Sequence, residues 1–117
     1  MKTAIKTKLV IAKDFSKTPG PRYEDEGDYS GEKFRKELLL PRIQEAIKKG
    51  WSLTIYLDGT AGYGTPFLEE AFGGLIREDN LSYKDISNMI TIKSDEEEYL
   101  IEDIFTYMKD AESDDQK

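Results

Sequence analysis

The chain has 117 residues, a net charge of −7, no cysteine and no histidine. That length suits a single domain with a real core, and the two missing residue types exclude disulfides, thiolate metal sites, thiol nucleophiles and the usual neutral-pH general base. Residues 1–50 carry 12 Lys and Arg against 8 Asp and Glu, net +4, whereas residues 51–117 carry 5 against 16, net −11. With no concentrated basic stripe, this balance argues against direct nucleic-acid binding and for a protein partner. No apolar run approaches membrane-spanning length and the first residues lack a secretory pattern, so the expected setting is cytoplasmic, away from the membrane.

Ile5 to Phe15 alternates loosely and predicts one edge strand or a short strand pair, its lysines guarding an exposed edge. Residues 16–29 hold four Gly or Pro residues and a cluster of acids, which predicts a long loop. Ser30 then caps a helix at about 31–49, whose Phe34, Leu38, Leu39, Ile43, Ala46 and Ile47 form an apolar band. Lys48-Lys49-Gly50 ends it, and Pro41 should kink it. Leu53, Ile55 and Leu57 alternate as one face of a strand. Phe67, Leu68, Ala71, Phe72, Leu75 and Ile76 then form a stripe that only a 3.6-residue repeat gathers on one side, a helix at about 66–77. Asp79 to Asp85 reads as a polar connection and Met89 to Ile92 as a short strand. Ser94 to Glu97 has capping-box spacing before a helix at about 95–109, followed by a polar tail at 111–117 that should fray. Strands alternating with helices imply a largely parallel sheet with right-handed crossovers, a small α/β sandwich forming one domain over 1–110.

Between the central strand and its helix lies Asp58-Gly59-Thr60-Ala61-Gly62-Tyr63-Gly64-Thr65-Pro66, where function is to be sought. Thr65 before Pro66 reads as a helix start, the threonine as cap. Gly62-Tyr63-Gly64 lacks the third glycine of a dinucleotide fingerprint, its place taken by Phe67, and no phosphate-loop motif exists. Asp58 suggests either an Asx turn accepting N–H bonds from the glycine-rich loop or a cation anchor. Glu24, Asp25, Glu26 and Asp28 lack calcium-loop spacing and read as a solvated acidic loop, so no metal site and no cofactor is expected. Arg22 is an anion-clamp candidate or a salt-bridge partner. Gly73-Gly74 inside a strong helix signals either close approach to a neighbouring strand or a flat contact surface. Tyr23, Tyr29 and Tyr63 should gather at the same end as Thr65, as interface tyrosines do.

Thr18-Pro-Gly-Pro-Arg22, Tyr29-Ser-Gly-Glu-Lys-Phe-Arg35 through Leu40-Pro41, and Asp58-Gly59 with Gly64-Thr-Pro-Phe-Leu-Glu-Glu-Ala-Phe-Gly-Gly-Leu75 carry a resemblance over most of the chain. With these runs it resembles the STAS-like family of unknown function, relatives of the STAS domain of sulfate transporters and anti-sigma factor antagonists. The resemblance implies a STAS-like α/β domain. It also implies a non-enzymatic regulatory module whose partner is a histidine-kinase-like ATPase of the anti-sigma type. Thr65 falls nearest the place where STAS antagonists are phosphorylated. A phosphate there would sit on the positive end of the helix dipole and repel an acidic partner. The expected docking surface comprises Asp58, Gly59, Thr60, Gly62, Tyr63, Gly64, Pro66, Glu69 and Glu70. The alternative is a small-ligand or nucleotide sensor using the same loop, and a weaker third reading is an enzyme built on Asp58 and Arg22.

Overall fold

The structure, a computed structural model, describes residues 5–115. The first four residues and the last two, 116–117 of the polar tail, lie outside the described residues. Strand β1 (Lys6–Val10) pairs in parallel with β2 (Ser52–Tyr56), and β2 pairs in parallel with β3 (Ile90–Lys93), giving a three-stranded sheet in the order β1-β2-β3. The α/β class and the parallel sheet expected from the alternation of elements are what the chain adopts.

Leu9, Leu53, Ile55, Leu57, Ile90 and Ile92 are buried on one side of this sheet together with the apolar faces of the helices. Each such side chain removed from water contributes roughly 1.5–3 kcal/mol. The N-terminal strand is shorter than Ile5 to Phe15. Asp14 Oδ2 accepts the Val10 N–H at 2.8 Å, and the chain turns into a single helical turn, α1 (Ile11–Asp14).

Helix α2 spans 31–49 as Gly31–Phe34, a π-helical segment Arg35–Leu39, and Leu40–Lys49. Ser30 caps it, its Oγ accepting the Lys33 N–H at 3.0 Å, and Gly50 at φ 71° ends it in the left-handed conformation that glycine tolerates. The kink expected at Pro41 gives way to the π segment. Widening the turn just before the proline places Pro41 in the first turn of the next α-helical stretch, where its missing N–H is harmless.

Helix α3 spans 65–77, again with a π segment in its middle: Thr65–Leu68, Glu69–Gly73 and Gly74–Arg77. The polar connection expected at 79–85 contains the start of a further helix, α4 (Tyr83–Met89), capped by Ser82 Oγ on the Asp85 N–H. Its one fully buried side chain, Ile86, left no periodic stripe to read. Helix α5 (Tyr99–Asp115) differs from expectation at both ends. Ser94 Oγ does accept the Glu97 N–H at 2.9 Å, as the capping-box spacing implies, but the regular helix starts only at Tyr99. The helix then continues through the stretch expected to fray, because Ala111 extends the Leu100, Ile104, Met108 stripe into the core. Among the described residues no helix is long and apolar enough to cross a membrane.

Candidate functional site

The segment 58–66 leaves the carboxyl end of β2, the edge at which parallel α/β sheets present their loops. Asp58 does not bond the glycine-rich loop. Its Oδ1 accepts from Ser94 Oγ at 2.8 Å and the Glu96 N–H at 3.1 Å, and its Oδ2 from the Asp95 N–H at 2.8 Å. The Asp95 N–H above all, with the Glu96 N–H and the Ser94 hydroxyl, holds the Asp58 carboxyl below the usual carboxylate range against its own desolvation. Asp58 therefore ties the turn after β2 to the turn after β3, and Glu96 returns the tie by accepting the Gly59 N–H at 2.9 Å. Gly59, at φ 96°, brings its Cα so near α1 that an added Cβ would lie 3.1 Å from that of Ala12.

The rest of the loop is held from below. Thr60 Oγ1 accepts the Gly62 N–H at 3.2 Å, the Ala61 N–H reaches Lys17 O at 2.8 Å, and the Tyr63 hydroxyl donates to Leu57 O at 2.7 Å. Burial of that hydroxyl pushes its pKa up, so it stays protonated. The Tyr63 and Phe67 ring centroids lie 5.9 Å apart, Phe67 stacks on Phe34 at 5.8 Å, and Phe15 bridges Phe67 to Tyr29. This aromatic cluster brings Tyr29 and Tyr63 to the α3 end of the sheet, as the sequence predicts. Tyr23 and Tyr29 are exposed, and Tyr29 holds the uncommon φ of 57°.

Gly64, Thr65 and Pro66 are exposed at the tip. Gly64, not Thr65, is the residue before the helix. Thr65 is its first residue and makes no side-chain capping bond. The capping role is thus replaced by an unbonded hydroxyl facing solvent.

Behind this tip lies a charge network that sequence reasoning missed. Arg35, 3% exposed, donates from Nη2 to Glu70 Oε2 at 3.0 Å and from Nη1 to Asp79 Oδ2 at 2.9 Å. Glu70, also 3% exposed, takes Arg77 Nη2 at 3.4 Å on its other oxygen. Glu69 is held by Arg22 Nη1 and by Arg77 Nη1 at 2.6 Å. Burial alone would push the Glu69 carboxyl up, but the bonds from Arg77 and Arg22 prevail and hold it below the usual range. Two expectations are corrected here. Glu70 belongs to the interior, not to the docking surface, because its carboxylate is sealed and shared between arginines. Arg22 is not an open anion clamp, since Glu69 already occupies it. Asp58 and Arg22 serve separate networks, which removes the geometric basis for an enzyme built on that pair.

Gly73-Gly74 also receives a different explanation. A Cβ on Gly74 would lie 2.6 Å from Arg35 Nε, and one on Gly73 would lie 2.7 Å from Glu69 Oε2. The glycines clear space for the ionic network, not for a strand. The doublet was the sequence signal that something bulky crosses α3. Nothing local identified Arg35, 39 residues upstream, as that group.

A family model described as a STAS-like domain of unknown function matches residues 30–100. The chain belongs to this family. The matched span of this STAS-like domain runs from the cap of α2 through all of β2, the glycine-rich turn, α3 and β3 to the start of α5, so it includes most of the charge network and the exposed tip. No curated protein and no solved structure matches the chain.

Proposed function

We propose that this STAS-like domain is a non-enzymatic regulatory module that docks a cytoplasmic protein partner through the tip formed by Gly59, Thr60, Gly62–Pro66 and the flanking Tyr23 and Tyr29. The partner is a histidine-kinase-like ATPase of the anti-sigma type, and phosphorylation of Thr65 gates the contact. The observation that carries this reading is the state of Thr65: exposed, unbonded, and first in a 13-residue helix whose remainder is anchored in the core. A phosphate there adds about −1.5 to −2 of charge at the favourable end of the helix dipole without breaking an internal bond. The adjoining aromatic and glycine surface supplies rigid contact area of the kind interfaces favour. The ligand-sensor alternative gains no support from the described cavity. Its roughly 370 Å³ lies around Trp51, Ile47 and Met89 at the amino end of β2, opposite the glycine-rich loop.

Titration calorimetry of the domain against a kinase-like ATPase encoded beside it tests the proposal. Thr65→Ala should bind like the unmodified domain, and Thr65→Glu should bind at least about tenfold more weakly, a difference of about 1.4 kcal/mol. Equal binding of the two variants removes the gate, and no binding by any form removes the partner class.

A further inference from the structure

The register of the sheet sorts its residues by face, and only one face is covered. Opposite the buried Leu9, Leu53, Ile55, Ile90 and Ile92, the rows Lys6–Ser52, Lys8–Thr54–Thr91 and Val10–Tyr56–Lys93 form the other side. Lys6, Lys8, Thr91 and Lys93 are exposed, and Tyr56 does not join the hydrophobic core. This face bears three lysines and no acid in a chain whose net charge is −7. None of the three has an ion-pair partner among the described residues, as is also true of Lys13, Lys17, Lys33, Arg42, Lys48, Lys84 and Lys109; what sets them apart is their gathering on one open sheet face.

The same chain carries the complement. Asp95, Glu98 and Glu102 are exposed around the start of α5 and are likewise without an ion-pair partner among the described residues. Among them stands Tyr99, 65% exposed, its hydroxyl bonded to Glu97 Oε2 at 2.9 Å. Glu98 and Glu102 are one helical turn apart, about 6 Å, and Lys6 and Lys8 are two strand residues apart, about 7 Å.

We propose that the open sheet face of one copy receives the acidic, tyrosine-bearing segment 95–102 of a second copy, forming a salt-sensitive dimer. Tyr99 lies against the aliphatic stems of the lysines, and the carboxylates meet their ammonium groups. Each copy carries both halves, so two copies that exchange them about a two-fold axis form a closed pair. A three-stranded platform of five residues measures about 14 by 16 Å, well short of the roughly 800 Å² per partner of stable complexes, so the dimer is weak. A nucleic acid fits the face less well, because three lysines on an acidic chain release few counterions.

Sedimentation velocity of the full chain provides the test. At about 500 µM and low salt the dimer should be populated, and its Kd should rise at least about tenfold between roughly 50 and 300 mM salt. Lys8→Glu with Lys93→Glu should be monomeric with an unchanged melting temperature, and Glu98→Lys with Glu102→Lys likewise. Mixing the two variants should restore association, because both contacts of the mixed dimer are again of opposite charge. Lys8→Gln with Lys93→Gln gives the same loss without added repulsion. A monomer at about 500 µM in low salt overturns the proposal, as does a dimer that both charge reversals leave intact. Lysine-dependent capture of a poly-glutamate peptide or an oligonucleotide by a chain that remains monomeric assigns the face to that partner and overturns it as well.

Discussion

At its first turn α3 offers Gly64, Thr65 and Pro66 to solvent and engages the Thr65 side chain in no hydrogen bond, yet one turn later it seals Glu70 between Arg35 and Arg77. The two regions are contiguous in sequence, in the run Gly-Thr-Pro-Phe-Leu-Glu-Glu, and opposite in physical character. The buried half spends its charges on internal partners and fixes how α3 sits against α2. The exposed half is positioned by that anchoring and holds its hydroxyl in reserve. A single motif thus contains a scaffold part and a contact part, and substitutions should separate them by the size and the kind of their effect.

The largest effect belongs to the buried half. Glu70→Ala removes one of the two carboxylates that pair with Arg35, itself 3% exposed, and leaves Asp79 as its remaining partner. Breaking one partner of a buried pair typically costs about 3–5 kcal/mol, and with Asp79 retained the loss should approach the lower end of that range, enough for the urea midpoint to fall sharply. A loss below about 1 kcal/mol would place the pair in the regime of surface ion pairs. Gly74→Ala comes next. The added methyl meets Arg35 Nε at 2.6 Å and Cδ at 2.9 Å, and overpacking of this kind costs about 1–3 kcal/mol. Alanine favours a helix over glycine by about 1 kcal/mol, so a net gain in stability would mean that Arg35 yields and that the doublet is not there to clear its path.

A pH titration then compares the ties of the two regions. Asp58 and Glu69 both have carboxyl groups held below their usual range. A depressed folded-state pKa contributes stability that is complete above the unfolded value, near 4, and is lost as pH falls through the lower folded value. Acid should therefore loosen the domain below about pH 4. Asp58→Asn should remove part of that acid dependence while leaving the arginine network intact, as read by thermal melts at stepped pH.

The sequence patterns disclosed the frame more fully than the site. Both amphipathic stripes, Phe34 to Ala46 and Phe67 to Ile76, and the alternation of Leu53, Ile55 and Leu57 were legible because burial imposes a period on the residues themselves. Helix α4 was not, since it buries only Ile86 fully and its start is set by the Ser82 cap. The two π segments were hidden for a related reason: one added residue per turn leaves apolar content unchanged and moves only the register. Among site residues, the loop and its exposure followed from Gly62, Gly64 and Pro66. The partners of Asp58 did not, because Ser94, Asp95 and Glu96 reach it from 36 to 38 residues away. Glu70 illustrates the same limit from the other side. A glutamate on an acidic helix suggests solvent, and only the distant Arg35 reveals that it is interior.

The smallest effect on stability, and the most diagnostic, concerns Thr65. A threonine that caps a helix loses about 1 kcal/mol on replacement by alanine, because a backbone N–H of the first turn is left unpaired. Here Gly64 occupies the cap position and the Thr65 hydroxyl carries no hydrogen bond, so Thr65→Ala should fall within about 0.5 kcal/mol of the unmodified domain, as exposed positions do. Thr65→Glu should be neutral or slightly stabilising, since a negative charge in the first turn gains about 0.3–1 kcal/mol from the helix dipole, and Glu69, one turn on, is already neutralised by Arg22 and Arg77. Chemical denaturation of the two variants side by side supplies the measurement. If alanine costs 1 kcal/mol or more, about what a cap contributes, the hydroxyl is part of the scaffold, and a phosphate there would act by disturbing the fold. If both variants match the parent, any difference in partner binding belongs to the contact surface alone, and the two halves of α3 are separable in function as they are in structure.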